Sequence, residues 1–451
     1  MLFRSLALCE GMARWAGDSF QGISTEQRQH MLRTEYGGMN EVLVNLAAIT
    51  KKDRYIEAAR LFEQPGFLDP LAARRDELQG LHANTHVPKI IGAARMYEVT
   101  GERRYREIAE YFLAEVLAAR NYVIGNTSQD EHWKSPAGHL EGTLAWTNAE
   151  CCVAYNLMKL QRHVFCWSGD ARWMDAYERA LFNCRLGTQN AQGLKQYFFP
   201  LAAGYWRAYN SADESFWCCT GTGAEEFAKL ADTIYFRRGS DLFVNQFIAS
   251  TLDWKEEGIA VEQVTKFPRE QGATLKIKST RPALRTIHLR IPSWTSEDAQ
   301  VKINGRLLES MANPGSYLAL RRIWQDGDTI AVSLPMELRQ ESLPGDESVC
   351  AALYGPLVLA ADLGAAPSNE AFRTIHSGDT VPKNLPAASL LPKVAFSPAA
   401  STKQWIEVES AADLRFTAAG ESAKSQLLPM YEIGEQRYSV YWQMRSSENM
   451  S

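Results

Sequence analysis

Asn148-Ala149-Glu150-Cys151-Cys152-Val153-Ala154-Tyr155 runs on through Asn156-Leu157-Met158-Lys159-Leu160-Gln161-Arg162-His163-Val164-Phe165-Cys166-Trp167, breaks at Ser168-Gly169-Asp170, and resumes from Ala171 to Gly187. On both sides of the break, apolar residues recur at spacings of three and four, the period of one helix face. The Ser-Gly-Asp triplet supplies a stop and a fresh N-cap. Two helices joined by so short a turn make a helical hairpin. The same texture extends upstream over 2–16, 26–50, 53–64, 84–99 and 103–120, with a turn at Thr100-Gly101-Glu102, and downstream over 222–235. Paired helices of this kind predict an α/α barrel or solenoid over residues 1–235, although no sequence repeat of fixed period is visible.

Past residue 236 the periodicity changes to short β-rich runs: 242–248, 273–277, 286–291, 300–303, 329–334 and 349–359. Asn304-Gly305 and Asp326-Gly327-Asp328 supply turns between them. A Pro-, Ala- and Ser-rich stretch over 364–403 reads as a long surface connection, and 437–443 as a closing strand. The expected fold class is therefore multidomain α and β, with a β-sandwich region over 236–451.

Composition narrows the function classes. The chain has 451 residues, 45% hydrophobic and 22% charged, which excludes disorder and fibrous architectures. Lys and Arg number 48 against 53 Asp and Glu, a net charge of -5, so there is no electrostatic footprint for nucleic acid or an anionic membrane. No apolar run approaches the roughly 20 residues of a membrane span. The stretch Leu6-Ala7-Leu8-Cys9 is too short for a signal peptide, so the chain as written is expected in the cytoplasm, where its cysteines serve as thiols or metal ligands.

Four of the eight cysteines form two adjacent pairs, Cys151-Cys152 and Cys218-Cys219. Cys9, Cys166, Cys184 and Cys350 are scattered and read as small core residues. Residues two apart on a helix point about 200° away from each other, so Glu150 and Cys152 meet at one ion only if Glu150 stands outside regular helix. That places the motif at a loop-to-helix junction. Cys218-Cys219-Thr220-Gly221-Thr222-Gly223 has the same character. Three thiols and a carboxylate suit zinc, whereas the spacing alone fits two buried cysteine pairs equally well.

Several segments together carry a resemblance. These are Thr34-Glu35-Tyr36-Gly37-Gly38-Met39-Asn40-Glu41, Gly80-Leu81-His82-Ala83-Asn84-Thr85, Glu150-Cys151-Cys152 and Ser215-Phe216-Trp217-Cys218-Cys219-Thr220-Gly221-Thr222-Gly223. They resemble the β-L-arabinofuranosidases of glycoside hydrolase families 127 and 146, and 301–305, 324–328 and 354–357 resemble those families' β-sandwich region. The resemblance implies an α/α six-hairpin barrel and one Zn2+ held by Glu150, Cys152, Cys218 and Cys219, with Cys151 a non-ligand. It also implies that Cys218 is the nucleophile and Glu131, in Asp130-Glu131-His132-Trp133, the general acid/base. Around these, His82, Asn84 and His86 are candidates for hydrogen bonds to sugar hydroxyls. Trp133 and Trp217, with Tyr205 and Trp206, are candidate stacking faces. The implied activity is retaining hydrolysis that releases L-arabinofuranose from plant-derived arabinofuranosyl glycans.

The chain departs from the family's pattern at its start. Relatives carry a long segment ahead of the position matching Met1, so the expectation is an incomplete barrel with exposed hydrophobic helix faces and a tendency to associate with further copies. The alternative is a non-catalytic carbohydrate-binding or scaffold protein whose zinc site is structural.

Overall fold

The computed structural model describes residues 2–445 apart from Glu35 and Ser422, so Glu35 of the 34–41 motif lies outside the described residues. Ten α-helices occur among them: α1 (Leu2–Gln21), α2 (Thr25–Met31), α3 (Met39–Thr50), α4 (Arg54–Arg60), α5 (Pro65–Ala72), α6 (Ala83–Thr100), α7 (Arg103–Ala119), α8 (Cys151–Ser168), α9 (Ala171–Ala180) and α10 (Cys218–Glu225). α3 packs on α6, α6 on α8 and α8 on α10, while α4, α7 and α9 return as second limbs of hairpins. The row is tight: a Cβ added to Gly92 of α6 would lie 2.2 Å from the Asn40 side chain of α3. Gly169 ends α8 in the left-handed conformation at φ 66, which is why the Ser-Gly-Asp triplet turns the chain into α9.

Several elements differ from the periodicity reading. The stretch 26–50 is two helices, because α3 restarts at the Gly38 N-cap after Gly37 takes a positive φ. α5 begins on Pro65 at its first turn, a start that apolar spacing does not mark. The stretch 222–235 is not one helix. α10 starts earlier, at Cys218, and tight turns over 226–233 lead into a strand from Tyr235. In α1, Leu8, Met12 and Trp15 are 67%, 65% and 72% exposed, whereas Ala13 and Ala16 are buried. The small residues face inward because α1 lies close on α4, with Gly17 against Ala58.

Three main sheets follow. A four-stranded sheet runs Ser316–Trp324, Ala283–Ile291, Asp241–Val244, Tyr235–Arg238. A six-stranded one runs Ser250–Trp254, Ile259–Val264, Gly272–Ser279, Thr329–Ser333, Gln300–Ile303, Arg306–Leu307. Leu242, Ile287 and Leu289 of the first share a core with Val261, Leu275 and Ile330 of the second. The third sheet is centred on Asp346–Tyr354 and Leu357–Asp362, which the sequence presents as one apolar run and Gly355 divides at φ 55. Its alternate residues face two cores: Cys350 and Ala352 point to the core of the first two sheets, and Ala351 and Leu353 to a core shared with 122–124 and 197–208.

α9 fastens the helices to both β regions. Arg290, fully buried in the first sheet, reaches Glu178 at 2.5 Å and also pairs with Asp175, and the Trp294 indole N–H donates to Glu178 at 2.6 Å. One residue further along, Arg179 meets Glu341 of the third sheet at 2.7 Å. Removing one partner of a buried pair leaves an uncompensated charge. Arg290→Met should therefore lower stability by about 3–5 kcal/mol, read from urea unfolding, and adding Glu178→Gln should recover part of that loss.

Candidate metal centre and active site

Three helices of the inner row begin at one place. His82 is the N-cap of α6, Glu150 of α8 and Trp217 of α10. Helix N-termini carry partial positive charge, so this point favours anions before any side chain is considered. Glu150 takes φ -53 and ψ 134 and is thus outside regular helix, preceded by Ala149 in the left-handed region at φ 57. Backbone bonds hold the junction: Cys151 N–H donates to Tyr197 O at 2.8 Å and Ala149 N–H to Ser128 O at 2.9 Å. The kink turns the Glu150 carboxylate toward the side of the helix on which Cys152 lies.

The ligand atoms of Glu150, Cys152, Cys218 and Cys219 all lie within 4.8 Å of one another. Cys152 and Cys219 sulfurs are 3.3 Å apart, Cys218 and Cys219 sulfurs 4.0 Å, and each of the latter two is 3.8 Å from Glu150 Oε1. Tetrahedral zinc with Zn–S near 2.3 Å needs sulfurs roughly 3.8 Å apart, so the donor set fits such an ion. Glu150, Cys152 and Cys219 are buried, Glu150 Oε2 has no hydrogen-bond partner, and Cys218 faces outward. All eight cysteines are free thiols.

Electrostatics point the same way. Burial, and then the neighbouring Cys218, pushes the Glu150 carboxyl well above its ordinary range. Burial likewise raises the Cys219 thiol, and Cys218 raises that of Cys152. Cys218 alone is lowered, because the Cys152 and Cys219 thiols donate to it. Three buried acids and one at the rim are costly to ionise together, and a divalent cation among them would favour the ionised form of each.

Glu131 approaches from a loop in which Ser128, Asp130 and Glu131 all have positive φ. Its backbone carbonyl accepts from Ala83 N–H at 2.7 Å, tying the loop to the start of α6. His82 Nδ1 accepts from Thr85 N–H at 3.2 Å, so the ring proton sits on Nε2, 3.3 Å from Glu131 Oε2. That contact, and then the Tyr197 hydroxyl donating to Oε1, holds Glu131 below the ordinary carboxylate range. The Tyr197 oxygen is also 3.9 Å from Cys218 Sγ, so one hydroxyl stands against both groups. His82, Glu131 and Glu150 form a second close group.

The remaining candidates separate by burial. Asn84 is half-buried and its Oδ1 accepts from Asn156 Nδ2 at 2.9 Å, linking α6 to α8. Trp217 is half-buried, edge-on to Tyr197 at 5.6 Å, with its indole N–H unpartnered. His86 and Trp133 do not offer free faces. His86 is 8% exposed and donates from Nδ1 to His82 O, and burial, then Lys89, lowers it to about 4. Trp133 is 3% exposed, its indole N–H on Thr127 Oγ1 and its ring edge-on to Phe112. Trp206 is fully buried beside Trp146, and Tyr205 donates to Pro386 O. Of the scattered cysteines, Cys184 and Cys350 are buried, but Cys9 and Cys166 are exposed.

Two features escaped the sequence reading. Tyr197 stands in an aromatic run, Tyr197-Phe198-Phe199, that has no helical or strand period. Arg185, 1% exposed, pairs with the buried Glu226 and donates to the Cys151 carbonyl at 2.6 Å and to its sulfur at 3.0 Å. Cys151 is thereby held by Arg185 and stands outside the group of four.

Comparison with known proteins gives the family and the fold. Residues 4–232 match the β-L-arabinofuranosidase GH127 catalytic domain, 241–336 the GH127 middle domain, and 339–444 a domain of unknown function. A non-reducing end β-L-arabinofuranosidase of Bifidobacterium longum subsp. longum is 24% identical over 384 residues, which are 77% of this chain and 57% of that protein. The chain thus spans little more than half of that relative's length. A GH127 β-L-arabinofuranosidase of Geobacillus stearothermophilus T6 has a similar structure, with TM-score 0.69 and 18% identity over 90% of this chain and 72% of that one. A second GH127 β-arabinofuranosidase gives TM-score 0.67 and 19% identity over 90% and 68%. Among the described residues no helix is long and apolar enough to cross a membrane. With the GH127 catalytic domain matched over half of its length, the chain belongs to the β-L-arabinofuranosidase family GH127.

Proposed function

We propose that the chain is a retaining glycoside hydrolase that releases L-arabinofuranose from β-L-arabinofuranosides of plant glycans, with Cys218 as nucleophile and Glu131 as general acid/base. The observation that carries this reading is that Glu131 and Cys218 stand against the same Tyr197 hydroxyl. A retaining glycosidase needs a nucleophile and a proton donor on opposite sides of the glycosidic bond, usually two carboxyls roughly 5 Å apart. Here a thiolate replaces one carboxylate.

Glu150, Cys152, Cys218 and Cys219 would hold zinc. Bound zinc keeps Cys218 ionised at neutral pH and moderates its basicity. Cys218 Sγ attacks the anomeric carbon, forming a C–S bond as the C–O bond breaks, and Glu131 gives its proton to the departing oxygen. Glu131 then takes a proton from water, whose oxygen displaces the sulfur and restores the thiolate. His82 and Asn84 would meet sugar hydroxyls, and Trp217 would offer a ring edge beside Tyr197.

Protein purified without chelator should contain one zinc per chain by elemental analysis, and Cys219→Ser should lose it. Because binding displaces protons from Glu150, Cys152 and Cys219, zinc affinity should rise with pH. Cys218→Ser should abolish turnover. Glu131→Gln should cost at least about 100-fold on alkyl glycosides. On an aryl glycoside, whose leaving group needs little protonation, it should accumulate a Cys218 adduct visible by mass spectrometry. An adduct on Glu131 or Glu150, or inverted product, would overturn the roles.

His82→Asn keeps a cap for Thr85 N–H but is too short to reach Glu131. Losing that donor raises the Glu131 pKa, and an acid works only while protonated. The alkaline limb of kcat/KM should therefore move to higher pH.

A further inference from the structure

The junction that begins α10 is held from outside the helical region. Tyr209 and Asn210 pair in parallel with Thr374 and Ile375, which lie in the part of the chain that matches a domain of unknown function. Tyr209 N–H donates to Arg373 O and Ser211 N–H to Ile375 O, both at 3.1 Å. Ser215, 5% exposed, gathers the loop that follows. Its hydroxyl accepts from Ser211 N–H at 2.8 Å and donates to Ile375 O at 3.1 Å. The Ser211 hydroxyl lies 3.1 Å from Ser215 Oγ, and Asn210 Nδ2 donates to the Ser215 carbonyl at 3.3 Å. Glu214 and His376 add an exposed pair at 2.6 Å, a contact of little energetic weight. Ser215 stands three residues before Cys218, so their Cα atoms cannot be more than about 11 Å apart.

We propose that the C-terminal β unit braces the Cys218–Cys219 junction, and that Ser215 is the positioning residue through which the Ile375 carbonyl fixes the path of the loop into α10. Most of the 211–217 loop is exposed, with Ser211 and Ser215 as its buried points. The short parallel pairing and the Ser215 hydroxyl convert it into a fixed entry, so that Cys218 and Cys219 start their helix in one register relative to Glu150 and Cys152. The unit's contribution to the reaction is then geometric: it keeps two of the four donor atoms where the other two can share a cation with them. This rests on reading the four side chains as a zinc site.

The test compares wild type, Ser215→Ala and Ser215→Thr, all zinc-loaded and full-length. Zinc transfer to a chromogenic chelator should be about tenfold faster in Ser215→Ala, the value of one net hydrogen bond, with kcat reduced more than KM is raised. The unfolding midpoint should fall by only a few degrees, and Ser215→Thr, which keeps the hydroxyl, should restore the slow transfer. Hydrogen exchange gives a measurement that needs no variant: in wild type the amides of Tyr209 and Ser211 should be protected like those of the third sheet. Unchanged zinc transfer in Ser215→Ala, or unprotected amides at Tyr209 and Ser211, would overturn the brace while leaving the zinc reading intact. Wild type that binds no zinc would overturn both.

Discussion

Removing a carboxylate or thiolate from water is costly, and Glu150, Cys152 and Cys219 are all removed from it together, with Cys218 at the rim. Burial raises the Glu150 carboxyl and the Cys219 thiol, whereas contact with its neighbours lowers the Cys218 thiol. The surrounding fold adds features that suit the group to a cation. Three helices aim their N-termini at the spot, Glu150 keeps one oxygen without a donor, and the nearby Arg185 is engaged by Glu226 and Cys151 so that it does not neutralise the cluster.

The geometry depends on one backbone detail. Residues two apart on a helix diverge, so Glu150 and Cys152 meet only because the helix begins between them. Left-handed Ala149, extended Glu150 and the Tyr197 carbonyl on Cys151 N–H set that beginning. The same Tyr197 sends its hydroxyl to Glu131. One loop residue therefore connects the Glu150–Cys152 turn through its backbone with the Glu131 carboxylate through its side chain.

Much of this was legible in the sequence, to a depth set by the range of each signal. The 168–170 turn, the long helices α6 to α8 and the change to strands after 236 are local patterns, and they appear where periodicity puts them. The break between α2 and α3, the Pro65 start and the split at Gly355 were missed because a continuous apolar run hides a turn that positive-φ glycine or capping proline makes. Convergence of Glu150, Cys152, Cys218 and Cys219 came from joint motifs, since spacing alone allowed two buried cysteine pairs. Tyr197 and Arg185 had no local signature, for their roles exist only once three chain segments meet. His86 and Trp133 show the complementary gap: polarity and aromatic character mark a residue as able to contact sugar, but not how deeply the fold buries it.

A single stretch of α9 bears on how the molecule can be divided. Asp175 and Glu178 are committed to Arg290 of the first sheet, and Arg179 to Glu341 of the third. A cut that removed either β region would strand buried or half-buried charge on a helix whose other limb, α8, begins at the Glu150–Cys152 turn. The helical region is therefore not a free-standing module carrying two appendages. Its charge balance is completed only by the sheets, and the smallest piece of this chain that is electrically whole includes all three.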